Sequence, residues 1–176
     1  MLEAKNRGAG MSNYPAWLPE LMPLEAYGGN WHDYVEAVYS AFKRDFIVSQ
    51  PKFKNFWVRC RRDPLEQGKE AGFWHCISGG KDESKRTPEL RRMERVSWIR
   101  AIIEHTDDTK VSFWHVTRGS DRRCCIWLNE EFIVVLTERK RKKDGFKYWQ
   151  LITAYDTDQE RRKNQLRRER DENIGS

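Results

Sequence analysis

The spacing of apolar residues changes along the chain, and each change marks a different kind of element. Trp31, Tyr34, Val35, Val38, Phe42 and Phe46 recur at steps of three and four, predicting a helix over residues 31–46 with one buried stripe. That stretch holds neither Gly nor Pro, and Pro51 bars a continuation. Residues 56–62 (FWVRCRR) and 73–78 (FWHCIS) are short, aromatic and β-branched, and read as strands. Thr87-Pro88-Glu89 then spells a helix start, with Thr as N-cap, Pro at the first helical position and an acid in the first turn. The helix it opens runs to about residue 105, with Leu90, Met93, Val96, Ile99 and Ile103 on one stripe.

After Asp107-Asp108 the period shortens. Residues 111–117, 122–128, 131–139 and 146–155 read as strands, with Gly119-Ser120, Asn129-Glu130 and Lys143-Asp144-Gly145 at the turns. Strands this closely linked make an antiparallel meander. Residues 156–172 can be helical, but Leu166 is their one aliphatic side chain, so such a helix has little apolar face to bury. The expected fold is α+β: N-terminal helices packed on one face of a C-terminal antiparallel meander of four to six strands, then a charged C-terminal helix. Residues 1–23 read as a flexible leader and an extended anchor punctuated by Pro15, Pro19 and Pro23. Residues 24–155 read as a single domain and 156–176 as a basic helix or tail.

A chain of 176 residues can bury one core unaided, and 8 Trp, 8 Phe and 6 Tyr supply apolar area that argues against disorder. The longest aliphatic run, 132–136, is far too short to cross a bilayer, and the N-terminus lacks a signal-peptide pattern, so a soluble cytoplasmic protein without a membrane partner is expected. The net charge is +6 and uneven: residues 139–172 carry 12 basic and 7 acidic side chains, residues 1–138 carry 21 and 20. A basic C-terminal third points to a polyanion, most often nucleic acid; a solvated charged helix is the plainer alternative. Cys60, Cys76, Cys124 and Cys125 show no ligand spacing, so buried thiols, no metal and no cofactor are expected.

Five groups bear chemistry. His75, in Phe73-Trp74-His75, is the best general acid or base by residue type, although a structural role is common for such a histidine. Arg91 and Arg95 lie four apart on one helix face beside Arg92 and Glu94, an arrangement of like charges that favours an anion, either phosphate or a nearby carboxylate. Arg118, Arg122 and Arg123 surround a hairpin turn, and residues 139–143 are five consecutive basic residues at another. Last, Leu151, Thr153 and Tyr155 alternate in a strand, which offers two hydroxyls on one face. No phosphate-binding glycine loop, zinc-protease helix or nucleophile elbow occurs.

Tyr27-Gly28-Gly29-Asn30-Trp31, Lys43-Arg44-Asp45-Phe46, Gly68-Lys69-Glu70 with Phe73-Trp74-His75, residues 88–95 (PELRRMER) with Trp98-Ile99, and the late Thr153-Ala154-Tyr155 together carry a resemblance. They resemble a small family of phage- and prophage-associated proteins that is similar to the barnase–EndoU–colicin–RelE-like RNase superfamily. The resemblance spans roughly residues 24–170 and implies a site on the open sheet face beside the second helix. Residue by residue it implies His75, Arg91, Glu94, Arg95, Thr153 and Tyr155 as catalytic, with Arg122 as an addition.

The leading expectation is a metal-independent endoribonuclease that cleaves through the ribose 2′-OH, a toxin-like or phage–host conflict factor. His75 or Glu94 would move the proton, Arg91 and Arg95 would hold the phosphate, and Thr153 or Tyr155 would orient it. RNA is the expected partner, with Arg122, Arg139, Lys140, Arg141, Arg161 and Arg162 as contacts and a protein inhibitor or antitoxin as a further partner. The alternatives are a non-catalytic RNA- or DNA-binding protein and a protein-interaction module with a basic tail.

Overall fold

The computed structural model describes residues 13–80, 82 and 85–174. Asn30 opens the first helix, α1 (Trp31–Lys43), by accepting the Asp33 amide on its side-chain oxygen at 3.2 Å. Tyr34, Val38, Ala41 and Phe42 form its buried face. The last predicted turn is wider than an α-helix: Arg44–Val48 is a π-turn, and the Arg44 carbonyl accepts from both the amide and the hydroxyl of Ser49.

Two small hairpins follow, β1 (Lys52–Phe53) with β2 (Phe56–Cys60), and β3 (Leu65–Glu66) with β4 (Lys69–Glu70). The segment read as a strand at 73–78 is instead helix α2 (Ala71–Ile77). Phe73, Cys76 and Ile77 stand at i, i+3 and i+4 and are all buried, a helical spacing obscured by β-favouring residue types. Gly72 lets this helix start directly against β2. A Cβ there would lie 2.8 Å from the Arg61 carbonyl oxygen, which accepts the Gly72 amide at 2.8 Å.

Thr87 is not an N-cap. β5 (Ser78–Gly79) pairs with β6 (Thr87–Pro88), and the helix begins two residues later as α3 (Leu90–Glu94). It breaks at Arg95 and resumes as α4 (Val96–Glu104). At the break the Glu94 carbonyl accepts from the Met22 amide at 2.9 Å, so a segment from outside the helix takes this acceptor.

The meander forms where the period-two pattern placed it: β7 (Val111–Arg118), β8 (Asp121–Leu128), β9 (Phe132–Lys140) and β10 (Lys147–Asp156). The six-stranded sheet has the order β1-β2-β10-β9-β8-β7. Its one departure from antiparallel pairing is β2, which lies parallel to β10. That pairing ends at Leu151 with Cys60, and a bulge follows in β10 between Leu151 and Thr153. Residues 153–156 therefore form a free edge, which α2 and α3 cover. The bulge also undoes the alternation expected in this strand. Leu151 and Ala154 both face the helix-side core, whereas Tyr155 packs on the opposite face.

Helices cover both faces of the sheet rather than one. Phe42, Phe73, Met93, Ile99 and Ile102 pack with Ile126, Val134 and Leu136 on the first face. On the second, Trp114, Trp127, Ile133 and Val135 are closed over by Leu166 of α5 (Glu160–Asn173). Polar clamps hold this charged helix around its single buried leucine. Trp114 Nε1 donates to Glu169 at 3.1 Å, and Arg167 and Arg170 pair with Glu130 at 2.6 and 3.0 Å.

The chain before α1 straps the body. Trp17 Nε1 donates to Asp108 and Trp98 Nε1 to the Pro19 carbonyl, both at 2.8 Å. Residues 1–12 of the expected leader lie outside the described residues. No helix of the described residues is long and apolar enough to cross a membrane.

Because Leu166 alone supplies the apolar contact of α5, Leu166→Ala should lower stability by about 2–5 kcal/mol in urea unfolding. An unchanged midpoint would mean that the helix does not dock on Trp114 and Trp127.

Candidate functional site

A cleft of about 860 Å³ opens between α1, the β3–β4 hairpin and α2. Trp31 and His32 line one side, Trp74 and His75 the other, with Arg61 and Arg86 at the wall. The helical form of α2 creates this arrangement. It sends Phe73 into the core and turns Trp74 and His75 toward the cleft, where a strand would have parted them. Trp74 Nε1 donates to the Glu66 carbonyl at 2.9 Å, tying the hairpin to α2. Lys69, nearly buried, meets Glu36 at 2.6 Å, and that hydrogen bond holds the Glu36 carboxyl below the usual carboxylate range.

His75 Nδ1 lies 2.7 Å from an Arg86 guanidinium nitrogen. A guanidinium has no acceptor, so Nδ1 accepts and the neutral ring carries its proton on Nε2. Arg86 Nε is itself buried with no hydrogen-bond partner among the described residues. Behind α2, Thr153 Oγ1 donates to the His75 carbonyl at 3.4 Å. Arg92 joins the same corner: it donates to Glu89 at 2.6 Å, to the Ser78 carbonyl at 2.8 Å and to Thr153 Oγ1 at 3.5 Å. Its guanidinium lies over the Tyr155 ring, 5.5 Å from the centroid, while Arg162 donates to the Tyr155 hydroxyl at 2.6 Å.

The remaining sequence-derived residues gather elsewhere. Arg91 and Arg95 both reach Asp156 Oδ1 at 3.4 Å; Arg91 also pairs with Asp158 and Arg95 with Glu94. The anion called for by two stacked arginines is thus present as a carboxylate of this chain. Arg91, Glu94, Arg95, Thr153 and Tyr155 are not among the residues lining the cleft; His75 is. Burial pushes the Asp156 carboxyl up, outweighing the pull of Arg95 and Arg91, and its Oδ2 is buried without a hydrogen-bond partner among the described residues.

The residues expected to contact nucleic acid are largely paired. Arg122 meets Glu138 at 3.1 Å, Arg139 meets Asp121 at 2.7 Å, and Arg141 pairs with Asp144, whose carboxyl it pushes down to about 2. Lys140 and Arg161 are exposed. Arg61, Arg86, Trp31 and Trp74 escaped the reading of candidate residues, and Arg92 enters it only as a member of the Arg91–Arg95 helix face. Arg86 sits in a loop with no periodicity to flag it, and the two indoles looked like core.

The cysteines are buried, and burial raises the Cys60 thiol to about 11 and the Cys125 thiol to about 12. Among the described residues no group of three or more His, Cys, Asp or Glu side chains is placed to hold a metal ion. Comparison with protein-family models, curated proteins and solved structures finds no match.

Asp156 supplies a pH test. Its folded pKa lies above the unfolded value, so the folded state holds the proton more tightly. Its contribution to stability is therefore present below the unfolded pKa and lost as pH rises through the folded one. Carboxyl NMR should place its midpoint above about 3.9, and Asp156→Asn should remove that part of the pH dependence of unfolding. A midpoint below the ordinary aspartate value would mean that the two arginines dominate.

Proposed function

We propose that the cleft around His75 is the substrate site of a metal-independent endoribonuclease. One observation carries the reading: an imidazole and a guanidinium, 2.7 Å apart, stand at the wall of a cleft flanked by exposed indole surface. Single-stranded RNA suits it, because bases stack on Trp31 and Trp74 while Arg61 and Arg86 meet phosphate.

Arg86 covers the lone pair of Nδ1 until a phosphate draws the guanidinium away. Nδ1 then takes the 2′-OH proton as the 2′-oxygen attacks phosphorus. The P–O5′ bond breaks, and the leaving oxygen takes a proton from water. A 2′,3′-cyclic phosphate and a 5′-hydroxyl result. Arg86 and Arg61 stabilise the charge that builds on the phosphorane. Thr153 and Arg92 position α2 from behind and touch no substrate.

The mixed α+β fold supports the resemblance to the phage-associated family and to the barnase–EndoU–colicin–RelE-like superfamily, whose shared layout sets helices before an antiparallel sheet. A toxin-like role on cytoplasmic RNA belongs to the same proposal. The binding-only reading draws on a different observation: Arg91, Glu94 and Arg95 are occupied around Asp156.

Purified protein with labelled RNA separates the two. His75→Ala should cut the cleavage rate by roughly 10²–10⁴ with RNA binding retained. Cleavage should survive EDTA and fail on RNA methylated at the 2′-oxygen. Folded wild-type protein that binds varied RNAs without cutting them would leave only the binding reading, and chelator-sensitive cutting would refute the metal-free route.

A further inference from the structure

A second hollow, about 530 Å³, lies across residues 61–63 from the His75 cleft. Arg59, Arg61 and Arg62 line it with Tyr148, Gln150 and Gln50, and Asp63 is the one carboxylate among the lining residues. Arg61 lines both hollows, so they are neighbours along one strip of chain. Its Nε donates to the Asp63 carbonyl at 2.8 Å, which fixes its stem.

Arg59 is the unusual member. It is half-buried, yet its guanidinium lies over the rings of Phe146 and Tyr148, 5.5 and 5.3 Å from their centroids. Its Nε is buried and has no hydrogen-bond partner among the described residues. Leaving such a donor unsatisfied is costly. Strand register puts this residue in a transverse row. Arg59 stands beside Gln150, Gln150 beside Thr137, and Thr137 beside Arg123, whose Nε is likewise buried and unpartnered among the described residues. Trp57, two residues before Arg59 and so on the same face, is exposed. Cations with unmet donors, next to exposed aromatic surface, are the chemistry that grips a phosphodiester strand.

We infer that this hollow is a second phosphate subsite, which holds the backbone of a single-stranded RNA a few nucleotides away from the bond in the His75 cleft. The inference rests on the cleft being an RNA site, but not on its being catalytic. Arg59, Arg61 and Arg62 meet the phosphate, and Trp57 offers a stacking face to the adjoining base. The strand crosses the rim at Arg61. The subsite thereby sets a minimum length for tight binding.

The test uses the full chain and 2′-O-methyl RNA, which cannot be cut, in lengths of about 4 and about 12 nucleotides. Arg59→Gln should weaken binding of the longer RNA by about tenfold or more. It should also flatten the log–log salt dependence by about 0.7, while Arg59→Lys should restore most of that slope. Arg62→Gln, at an exposed position, gives a second reading that does not burden the fold. It should flatten the slope by a similar ~0.7. Unchanged affinity and slope for the longer RNA in both glutamine variants would overturn the subsite, as would an equal loss on the short and long RNAs. Because nothing is cleaved in this assay, a protein that proves inactive toward RNA leaves the result readable. Cleavage that is lost in His75→Ala with no length effect would instead keep the nuclease and remove the subsite.

Discussion

The end of pairing between β2 and β10 decides where the cleft beside His75 can open. β2 contributes three paired positions to β10 and then turns away after Cys60. The last residues of β10 are left as an edge whose polar backbone and side chains need other partners. α2 and α3 fill that space. Thr153 meets the His75 carbonyl there, and Arg92 bridges Glu89, Ser78 and Thr153. A β2 two residues longer would occupy the edge and displace α2, with His75 and Trp74 on it. The cleft is thus a consequence of a short parallel strand, and the β10 bulge sets Thr153 beside Val135 and Tyr155 beside Ile133, with the Thr153 hydroxyl reaching the His75 carbonyl across the open edge.

Charge counting and charge placement diverge in this molecule. Of the surplus of +6, +5 falls in residues 139–172. Yet Arg139, Arg141, Arg167 and Arg170 each face a carboxylate of the chain. Exposed pairs of this kind contribute little to stability, and they dilute the field of the basic segment. Among the described residues, the guanidinium groups without such a partner include Arg59 on the sheet and Arg86 in a loop, both outside that segment. Under the proposed function, attraction for a polyanion would therefore centre on β2 and the rim of the cleft, in the part of the chain whose sequence balance is nearly neutral.

How much of this was legible follows from what each element buries. The four meander strands are rich in β-branched and aromatic residues, and turn residues punctuate them, so their positions could be read within a residue or two. α2 hid because seven residues pack on several sides at once. With Ala71, Gly72, Phe73, Cys76 and Ile77 all buried, no polar stripe exposes the period, and residue type alone argues for a strand. For α5 the expectation is a charged helix with little apolar face; the ion-pair clamps that let its one leucine dock have no pattern along the chain. Of the site, His75 could be picked by its chemistry. Arg91 and Arg95 could be picked as needing an anion, but no one-dimensional pattern says that the anion is Asp156, some sixty residues on.

The contact between Arg86 and His75 sets two demands against each other. A guanidinium that donates to Nδ1 selects the tautomer in which Nδ1 is the acceptor, the form that can take a proton. The same contact occupies the lone pair a base must use. Both demands are met only if Arg86 leaves when a phosphate arrives, and its position favours that exchange. Its Nε is buried without a hydrogen-bond partner among the described residues, and a phosphate offers it charge-assisted hydrogen bonds that an imidazole nitrogen cannot match. The free energy for uncovering the base then comes from substrate binding, and a ligand without a phosphate would leave His75 masked. A loop residue that no periodicity marks would in this way couple recognition of the RNA backbone to proton transfer.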